Sequence, residues 1–485
     1  MRNKIICSSL LTIGAFTTTS AKEAQPQKPN VVFILADDLG WSDIGYYDGS
    51  KGFYETPNLN EISRRGMRIN NFYPGGANSS PSRTNLITGM SNVRWKMYAP
   101  GALSKGEVEY MRWSVPNKTY PDEMPFESKT TVDPSATSVA EVLATEGYYS
   151  ARIGKWHLGP DNQGFDEASS NGDRVTMKDL YGDRDATRQI TDASLKFLDE
   201  NQDRPFFLYV PFFDVHTPLT ADPELVAKYE AKWESWGDKS REFYPVYAAM
   251  IEEVDRSVKR IIDKIDELGL DDNTLIIFGS DNGGVGFITD NTPLRGSKGN
   301  LYEGGIKSPA FAIWDGVIEA DTETDIPFHG VDLMPTLAEV VGAKLPTNQP
   351  VDGTSYVPAF RGEEDKKLAS RPLFWHYPLY LNAADGRGWY GEKWFPIYGT
   401  DQMHWRAIPS SAIQKDGWKL IHLFEYDSDE LYYLPDDIGE SNNLAKENPK
   451  MTKKLKKELF AWLKETGGDI PSVENPRYDI SKLTK

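Results

Sequence analysis

Cysteine is almost absent from this chain. Cys7 is the only cysteine among 485 residues, and it lies in a segment that predicts a secretory signal peptide over residues 1–21. That segment has the basic start, the apolar run and the small residues near a cleavage site that such signals share. We therefore expect an exported protein, periplasmic or secreted, whose mature chain lacks cysteine. Disulfides, thiolate metal sites and a cysteine nucleophile are excluded for that mature chain.

Long hydrophobic runs and positive charge are also scarce. After the N-terminal segment no run approaches the length of a transmembrane helix, so we expect no membrane association. Acidic residues number 72 against 54 basic ones, which gives a formal net charge of −18. Such a surface repels nucleic acid and anionic membranes, and neither is expected as a partner. Any anion-binding site must therefore concentrate positive charge locally.

Two kinds of hydrolase site are disfavoured by what is missing. The sequence lacks the G-x-S-x-G elbow on which many serine hydrolases place their nucleophile. Histidine is too sparse, and its spacing unsuitable, for a site that holds two zinc ions through several imidazoles. The six histidines are His157, His216, His329, His376, His404 and His422.

The hydrophobic pattern predicts the fold class. Continuous apolar runs indicate strands buried on both faces, over residues 31–36, 206–213 and 275–278. Apolar residues at helical spacing indicate helices between them, over 138–146 and 247–268. Strands that alternate with helices predict an α/β fold with a large mixed, mostly parallel sheet sandwiched by helices.

Polar residues follow two of these strands. Asp37 and Asp38 come directly after the first run, and Asp281 and Asn282 come shortly after the third. In parallel sheets, ligands bind at the carboxyl ends of strands. A single acidic pair of this kind is usually a solvated loop, but two such pairs at two strand ends indicate a binding site.

The composition and hydrophobic pattern of the chain change beyond residue 365. Short aromatic segments separated by Gly, Pro and Asp predict a small antiparallel sheet, closed by a helix around residues 450–465. We therefore predict a catalytic domain over residues 22–365 and a C-terminal α+β subdomain over residues 366–485. Most tryptophans of the subdomain are expected to pack the small sheet against the main domain. The loop 389–394 is the best candidate for carbohydrate contact.

The segment Ser79-Ser80-Pro81-Ser82-Arg83, with Gly89 beyond it, predicts the start and end of a helix. Ser79 suits the cap, Pro81 the first turn and Gly89 the terminus. An anion bound at the start would meet the positive end of the helix dipole. The alternative interpretation is an ordinary helix start, because short strings of this kind occur by chance.

This segment also resembles the signature of type I sulfatases, members of the alkaline phosphatase superfamily, whose first residue is oxidised to formylglycine. Most members begin with Cys and a bacterial group begins with Ser, as here. Five further segments resemble the family in chain order: VVFILADDLGWSDIGYYDG, GYYSARIGKWHLG, PFFLYVPFFDVHTP, TLIIFGSDNGG and NTPLRGSKGNLYEGGIKSPAF. The resemblance spans most of residues 29–362 and implies an alkaline phosphatase-like fold and a sulfuric ester hydrolase.

The resemblance implies a modified nucleophile beside a divalent cation. Formylglycine made from Ser79 by a radical maturase would take up water to give two hydroxyls on one carbon. One hydroxyl attacks sulfur, and the second expels the sulfate and regenerates the aldehyde. Asp37, Asp38, Asp281 and Asn282 would bind Ca²⁺, and this all-oxygen set would also suit Mg²⁺. Asp281 would act as the base for the attacking hydroxyl.

The remaining roles implied by the resemblance belong to cations and histidines. Arg83 and Lys155 would hold the formylglycine hydroxyls, and Arg83 would also orient the carboxylate of Asp281 or the ion. Lys298 and His216 would bind sulfate oxygens, with either able to protonate the departing alcohol. His157 would accept a proton as sulfate is eliminated.

The favoured function is an exported sulfatase that removes O-sulfate from a sugar of a sulfated glycan. Two alternatives use the same anion-binding residues. An aryl sulfatase acting on small phenolic sulfates would differ only in the pocket walls. A sulfated-glycan binding protein would keep Ser79 unmodified and show no turnover. Asp214 and Val215 depart from the small residues usual before the histidine of this segment, which indicates a different substrate wall.

Overall fold

The computed structural model of the protein describes residues 28–47, 49–100, 111–114, 128–169, 180–239, 244–286, 288–382 and 405–479. Within these residues eight strands form the main sheet. Their spatial order is β5 (Glu167–Ala168), β4 (Tyr149–Arg152), β6 (Phe206–Pro211), β1 (Asn30–Ala36), β7 (Thr274–Ser280), β8 (Ala310–Ile313), β2 (Met67–Ile69) and β9 (Thr322–Thr324). Neighbouring strands run parallel except at β8, which is antiparallel to both of its neighbours. The predicted mixed, mostly parallel sheet is confirmed. The predicted signal peptide over residues 1–21 lies outside the described residues.

The three central strands, β6, β1 and β7, are buried along their whole length. Side chains of β1 alternate between two hydrophobic cores: Val32 and Ile34 join one, and Val31 and Phe33 join the other. Apolar contact on both faces is why these strands read as continuous hydrophobic runs. The register sets Ala36 at the end of β1 opposite Ser280 at the end of β7. The residues after these two strands therefore emerge side by side.

Helices cover both faces of this sheet. One face packs against α1 (Pro57–Ser63), α4 (Ala186–Asn201), α5 (Pro223–Ser235) and α6 (Pro245–Glu267). The other packs against α2 (Ser79–Thr88), α3 (Val139–Ala144), α8 (Leu333–Val341), α9 (Val357–Phe360) and α10 (Lys366–Ser370). A short helix, α7 (Glu303–Ile306), precedes β8.

The two helices predicted before and after β6 are confirmed. The first is α3, in which Ser138 caps the N-terminus and Glu141 completes a reciprocal capping box. The second is α6, which begins at Pro245 and lines the core with its apolar residues. Across the described ranges we find no helix with both the length and the apolar character required to span a membrane.

A second, antiparallel sheet has the order β11 (Leu373–Tyr377), β14 (Ser410–Lys415), β15 (Trp418–Leu423) and β16 (Ser428–Tyr433). Helix α11 (Pro449–Thr466) covers one face of it through Leu455, Leu459 and Leu463. The other face packs on the main domain, where the buried ring of Trp375 lies 5.4 Å from that of Tyr73. The predicted C-terminal sheet with its helix is confirmed, and the domain boundary at residue 365 stays a prediction.

Two further strand pairs complete the described structure. β3 (Phe72–Tyr73) pairs with β10 (Phe328–His329), and β12 (Leu381–Asn382) pairs with β13 (Trp405–Ala407). The loop 389–394, which the sequence favours for carbohydrate contact, lies outside the described residues, as does His404.

Candidate active site

Four neighbouring parallel strands deliver most of the predicted site residues to one edge of the main sheet. Asp37 and Asp38 follow β1, and Asp281 and Asn282 follow β7. His216 follows β6, and Lys155 and His157 follow β4. Backbone bonds fix this edge: the N–H of Asp37 donates to the carbonyl of Asp214 at 2.9 Å, and the N–H of Lys155 donates to that of Pro211 at 2.8 Å. Residues far apart in sequence therefore share one end of the sheet.

Ser79 lies at the centre of this group. Its Oγ donates to Asp37 Oδ1 at 3.3 Å and to Asn282 Oδ1 at 3.4 Å. The prediction that Ser79 caps α2 is wrong by one residue, because Asn78 is the N-cap and Ser79 is the first helical residue. Its hydroxyl is directed at the carboxylate and amide of the site instead of at the helix backbone. The helix ends as predicted, at Gly89 in the left-handed conformation.

Arg83, one helical turn after Ser79, is fully buried and pairs with Asp281. Its Nε and Nη2 donate to Asp281 Oδ2 at 3.0 and 2.8 Å. Its Nη1 donates to the carbonyl of Lys155 at 3.0 Å. A planar guanidinium held at three nitrogens fixes the orientation of the carboxylate beside it. The role of Arg83 in orienting Asp281 or the ion stays a prediction.

The two lysines lie against the other carboxylates. Lys298 Nζ donates to both oxygens of Asp38, at 2.6 and 2.8 Å. Lys155 Nζ contacts Asp37 Oδ2. The buried site thus sets Arg83 and the two lysines against three carboxylates. The cations that the acidic composition requires are therefore gathered here, with their charge balanced by the carboxylates they contact.

The two predicted histidines differ in exposure. His157 is mostly buried, and its pKa is lowered to about 3 by burial and by the charges of Lys155 and Arg83. Its Nδ1 is a buried atom that has no hydrogen-bond partner within the described structure. His216 has a side chain 22% exposed, with Nε2 3.8 Å from Asp38 Oδ2. Burial, Lys155 and Lys298 lower the pKa of His216 to about 4. Before a sulfate group binds, both imidazoles are therefore neutral at pH 7.

The donor set at the centre fits a hard divalent cation. The Nδ2 of Asn282 donates to Asp38 Oδ1 at 2.8 Å and to the carbonyl of Gly283 at 3.0 Å. Both bonds hold the amide so that its Oδ1 faces Ser79 among the carboxylate oxygens. Burial and the charge of Asp281 raise the pKa of Asp37 to about 7. An oxygen-rich pocket in which buried carboxylates repel each other is suited to Ca²⁺ or Mg²⁺.

Chelation tests this fit. We expect a chelator to lower the melting temperature and added Ca²⁺ to restore it. A bound ion present at 100 times its Kd stabilises the folded protein by about 2.7 kcal/mol. Asp37→Asn should abolish the Ca²⁺-dependent shift. A second acidic group on the protein, formed by Asp271, Asp272 and Asp315 and more exposed, provides the control. Asp271→Asn should keep the full shift. Differential scanning fluorimetry measures both variants, and an equal shift in the two would contradict the assignment.

Some residues at the site were missed from the sequence. Tyr209 in β6 places its hydroxyl 3.5 Å from Arg83 Nη1; its position on one face of a buried strand gave no signal. A shallow cleft, partly open to solvent and with free space for about one water molecule, opens beside His216. Asp214, Phe213 and Tyr181 contribute to its lining. Burial raises the pKa of Asp214 to about 7. The unusual Asp214 noted in the sequence therefore does lie in a wall beside the site.

The sheet and this site define a class: hydrolases of the alkaline phosphatase-like fold with an oxygen-lined acidic site. The sulfatase family profile matches residues 29–343, and the chain belongs to the sulfatase family. It is a sulfuric ester hydrolase. A sulfatase of Formosa agariphila is 29% identical, over 95% of this chain and 93% of its own length. Arylsulfatase A of Homo sapiens is 30% identical, over 87% of this chain and 84% of its own.

Solved structures share the architecture. The crystal structure of Ps i-CgsB in complex with k-i-k-neocarrahexaose has a TM-score of 0.69 at 25% identity, and the match covers 92% of this chain and 95% of that one. A structure in complex with its substrate D-glucosamine-2-N,6-O-disulfate has a TM-score of 0.63, covering 92% of this chain and 99% of that one. At 18% identity this second likeness shows the fold alone.

Proposed function

We propose that this protein removes O-sulfate groups from a sugar of a sulfated glycan, with formylglycine made from Ser79 as the nucleophile. The observation that carries the proposal is the placement of Ser79, with its Oγ 3.3 Å from Asp37 Oδ1 and its helix start among three cations. Its motif also resembles a family signature whose first residue undergoes this oxidation. The modification is assigned to a radical maturase that acts on the Ser79 segment.

The chain supplies binding and proton transfer around the nucleophile. A divalent cation held by Asp37, Asp38, Asp281 and Asn282 would offset charge on the transferring sulfuryl group and make the attacking hydroxyl easier to deprotonate. Asp281 would take that proton while Arg83 fixes its orientation. The two hydroxyls of a hydrated aldehyde at residue 79 supply the attack and the later release of sulfate.

The remaining residues act on the two ends of the sulfate ester. Lys155 would hold a hydroxyl at residue 79, and Lys298 would bind sulfate oxygens. His216 would protonate the departing alcohol oxygen, because the negative charge of the bound sulfate opposes the cations that lower its pKa. His157, neutral and carrying an unpartnered Nδ1, would accept the proton lost as sulfate leaves. An alkoxide is a poorer leaving group than a phenolate, so proton donation by His216 matters more for a sugar sulfate than for a phenolic one.

The aromatic surface beside His216 supports a sugar as the leaving group. A group that accepts a proton from His216 must extend to that side, where the cleft is lined by Tyr181 and Phe213. Tyr181 is 61% exposed, and its ring lies 6.2 Å from that of Phe213. An exposed aromatic ring with a polar hydroxyl suits a partner that has both apolar faces and hydroxyl groups. The oligosaccharide in the structure of Ps i-CgsB adds support.

His216 gives a test of the leaving-group side. We expect His216→Ala to lower kcat/KM on a sulfated sugar by about 10²–10⁴-fold, because proton donation to a poor leaving group contributes that much. The loss on 4-nitrophenyl sulfate should be much smaller, since a nitrophenolate leaves without a proton. His422→Gln in β15 serves as control and should leave the ratio of the two activities unchanged. Equal losses on both substrates would contradict the acid role.

The substrate class is tested with the matured protein and a panel of position-defined sulfated monosaccharides beside 4-nitrophenyl sulfate. We expect turnover of one or more sugar sulfates well above that of the phenolic ester. The reverse ranking would favour the aryl sulfatase alternative. Mass spectrometry of the Ser79 peptide separates the binding-protein alternative, because oxidation to formylglycine removes a pair of hydrogens.

We also propose that the protein is exported to the periplasm or beyond. The support is the pattern of residues 1–21, with Arg2 and Lys4 before the apolar run. Sulfated glycans are large polyanions, so an enzyme that acts on them outside the cytoplasm meets them without transport.

A further inference from the structure

A fully buried group of charges joins the main domain to the C-terminal sheet. It consists of Glu303 at the start of α7, Lys419 in β15 and Glu440 after β16, and none of the three is exposed to solvent. Lys419 Nζ lies 2.8 Å from Glu303 Oε1 and 2.9 Å from Glu440 Oε1. The backbone N–H of Glu303 donates to Glu440 Oε2 at 2.7 Å. We call these three residues the ionic anchor.

The ionic anchor holds one end of the loop that carries Lys298. This loop, residues 295–305, is also bound to the C-terminal sheet at two other points. Arg295 Nη1 donates to the hydroxyl of Tyr432 and to the carbonyl of Glu440, both at 2.9 Å. The hydroxyl of Tyr302 donates to Glu430 Oε2 at 2.7 Å. The C-terminal sheet therefore contacts the loop on both sides of Lys298.

The same loop contacts the site through its backbone. The N–H of Lys298 donates to the carbonyl of Gly284 at 3.0 Å, and the N–H of Gly299 donates to that of Ala77, two residues before Ser79, at 2.8 Å. Gly283, which follows the proposed metal ligand Asn282, packs so closely that an added Cβ would lie 1.9 Å from the carbonyl oxygen of Gly304. No side chain fits between the two backbones. A shift of residues 303–305 is therefore transmitted directly to the loop after β7.

From these contacts we infer that Lys419 is a positioning residue for sulfate recognition. Acting through Glu303, it fixes the Lys298 loop so that the Lys298 ammonium meets the sulfate of the substrate. The inference rests on the proposed sulfate-binding role of Lys298 and extends it to a residue of the C-terminal subdomain. The catalytic site is then complete only when that subdomain is docked.

The burial of the ionic anchor explains how it can act in this way. A buried ammonium between two carboxylates tolerates only a narrow range of geometries, because each loss of contact leaves a charge without water or partner. Tyr73 adds a further restraint, since its hydroxyl donates to Glu303 Oε2 at 2.9 Å. The position of Glu303 is therefore fixed by residues of both domains, Tyr73 of the main domain and Lys419 of the C-terminal sheet.

Inhibition by inorganic sulfate, a product of the reaction, is the direct test. In the matured full-length enzyme, Lys419→Met should raise the inhibition constant of sulfate and the KM of substrate by about tenfold or more, as small displacements of binding groups do. Glu440→Gln keeps the shape of the side chain but removes one of the two charges paired with Lys419, and it should raise the inhibition constant and the KM in the same direction. This second variant decides the question if Lys419→Met does not fold.

A matched control separates positioning from general stability. Arg371 also crosses between the two parts of the chain through a buried contact to Asp332, and its other contacts are the carbonyls of Leu368 and Pro327. Arg371→Met should lower the melting temperature while the sulfate inhibition constant remains that of the wild type. Unchanged sulfate inhibition in Lys419→Met, or in Glu440→Gln if Lys419→Met does not fold, would overturn the inference while the sulfatase assignment stands. A wild-type enzyme that hydrolyses substrate but does not bind sulfate would refute the role of Lys298 and the inference with it.

Discussion

We expect Ser79→Ala to abolish turnover, with kcat lowered by at least about 10⁴-fold, the scale seen when a nucleophile is removed. The reason is chemical, because alanine cannot be oxidised to an aldehyde or provide a hydroxyl. Folding should be nearly unaffected, since the hydrogen bonds of the Ser79 hydroxyl to described residues are two long ones, to Asp37 and Asn282. Steady-state assays on a sulfated sugar and thermal unfolding measure the two effects.

Thr84→Val is the matched control for this variant. Thr84 lies in the same helix and is equally buried, but its hydroxyl donates to the carbonyl of Ser80 at 2.8 Å. Its loss should cost about 1 kcal/mol of stability and leave turnover close to that of the wild type. Turnover retained in Ser79→Ala would refute the nucleophile assignment. Wild-type protein from a host without a Ser-type maturase should be folded and inactive, with an unoxidised Ser79 peptide.

The second large effect is expected for Asp281→Ala, in both stability and turnover. Arg83 is completely buried and donates twice to this carboxylate. Removal of the carboxylate therefore leaves the guanidinium charge of Arg83 without its main partner. Breaking a buried ion pair from one side costs about 3–5 kcal/mol. Turnover should fall below detection because the proposed base and one of the four proposed metal ligands are lost together. Urea unfolding measures the loss of stability, and sulfatase assays measure the loss of turnover separately.

A double variant distinguishes the two causes. Asp281→Ala combined with Arg83→Met removes both charges of the pair, and replacement of a buried pair by apolar groups is often close to neutral for stability. We expect the double variant to regain most of the lost stability and none of the activity. Recovery of activity would contradict the base assignment. If Asp281→Ala alone were as stable as the wild type, the buried charge of Arg83 would not need Asp281 as its partner.

The centre of the site could be predicted because strand ends are a local signal with a known destination. Apolar runs over 31–36 and 275–278 predict buried parallel strands, and parallel strands deliver their carboxyl ends to one edge. Asp37, Asp38, Asp281 and Asn282 therefore meet there, as the structure shows. The resemblance implies that Arg83 orients Asp281 or the ion, and the structure places Arg83 Nη2 2.8 Å from Asp281 Oδ2.

What the sequence did not reveal depends on contacts between distant segments. Glu303 and Lys419 are separated by 116 positions, and nothing in the spacing of either segment predicts that they pair. The cleft beside His216 forms where the turn at Tyr181 meets the segment after β6, which is a matter of packing and not of periodicity. Ser79 itself was placed one position too early in its helix, because Asn78 and Ser79 are both good caps.

The concealment of the cations has a consequence for how the enzyme meets its substrate. Arg83, Lys155 and Lys298 are almost inaccessible and each faces a carboxylate, so little of their field extends into solvent. A sulfated chain approaching from a distance meets an acidic exterior and gains no long-range attraction. Selectivity must therefore arise after entry, when one sulfate at a time displaces the carboxylate contacts of the lysines at close range.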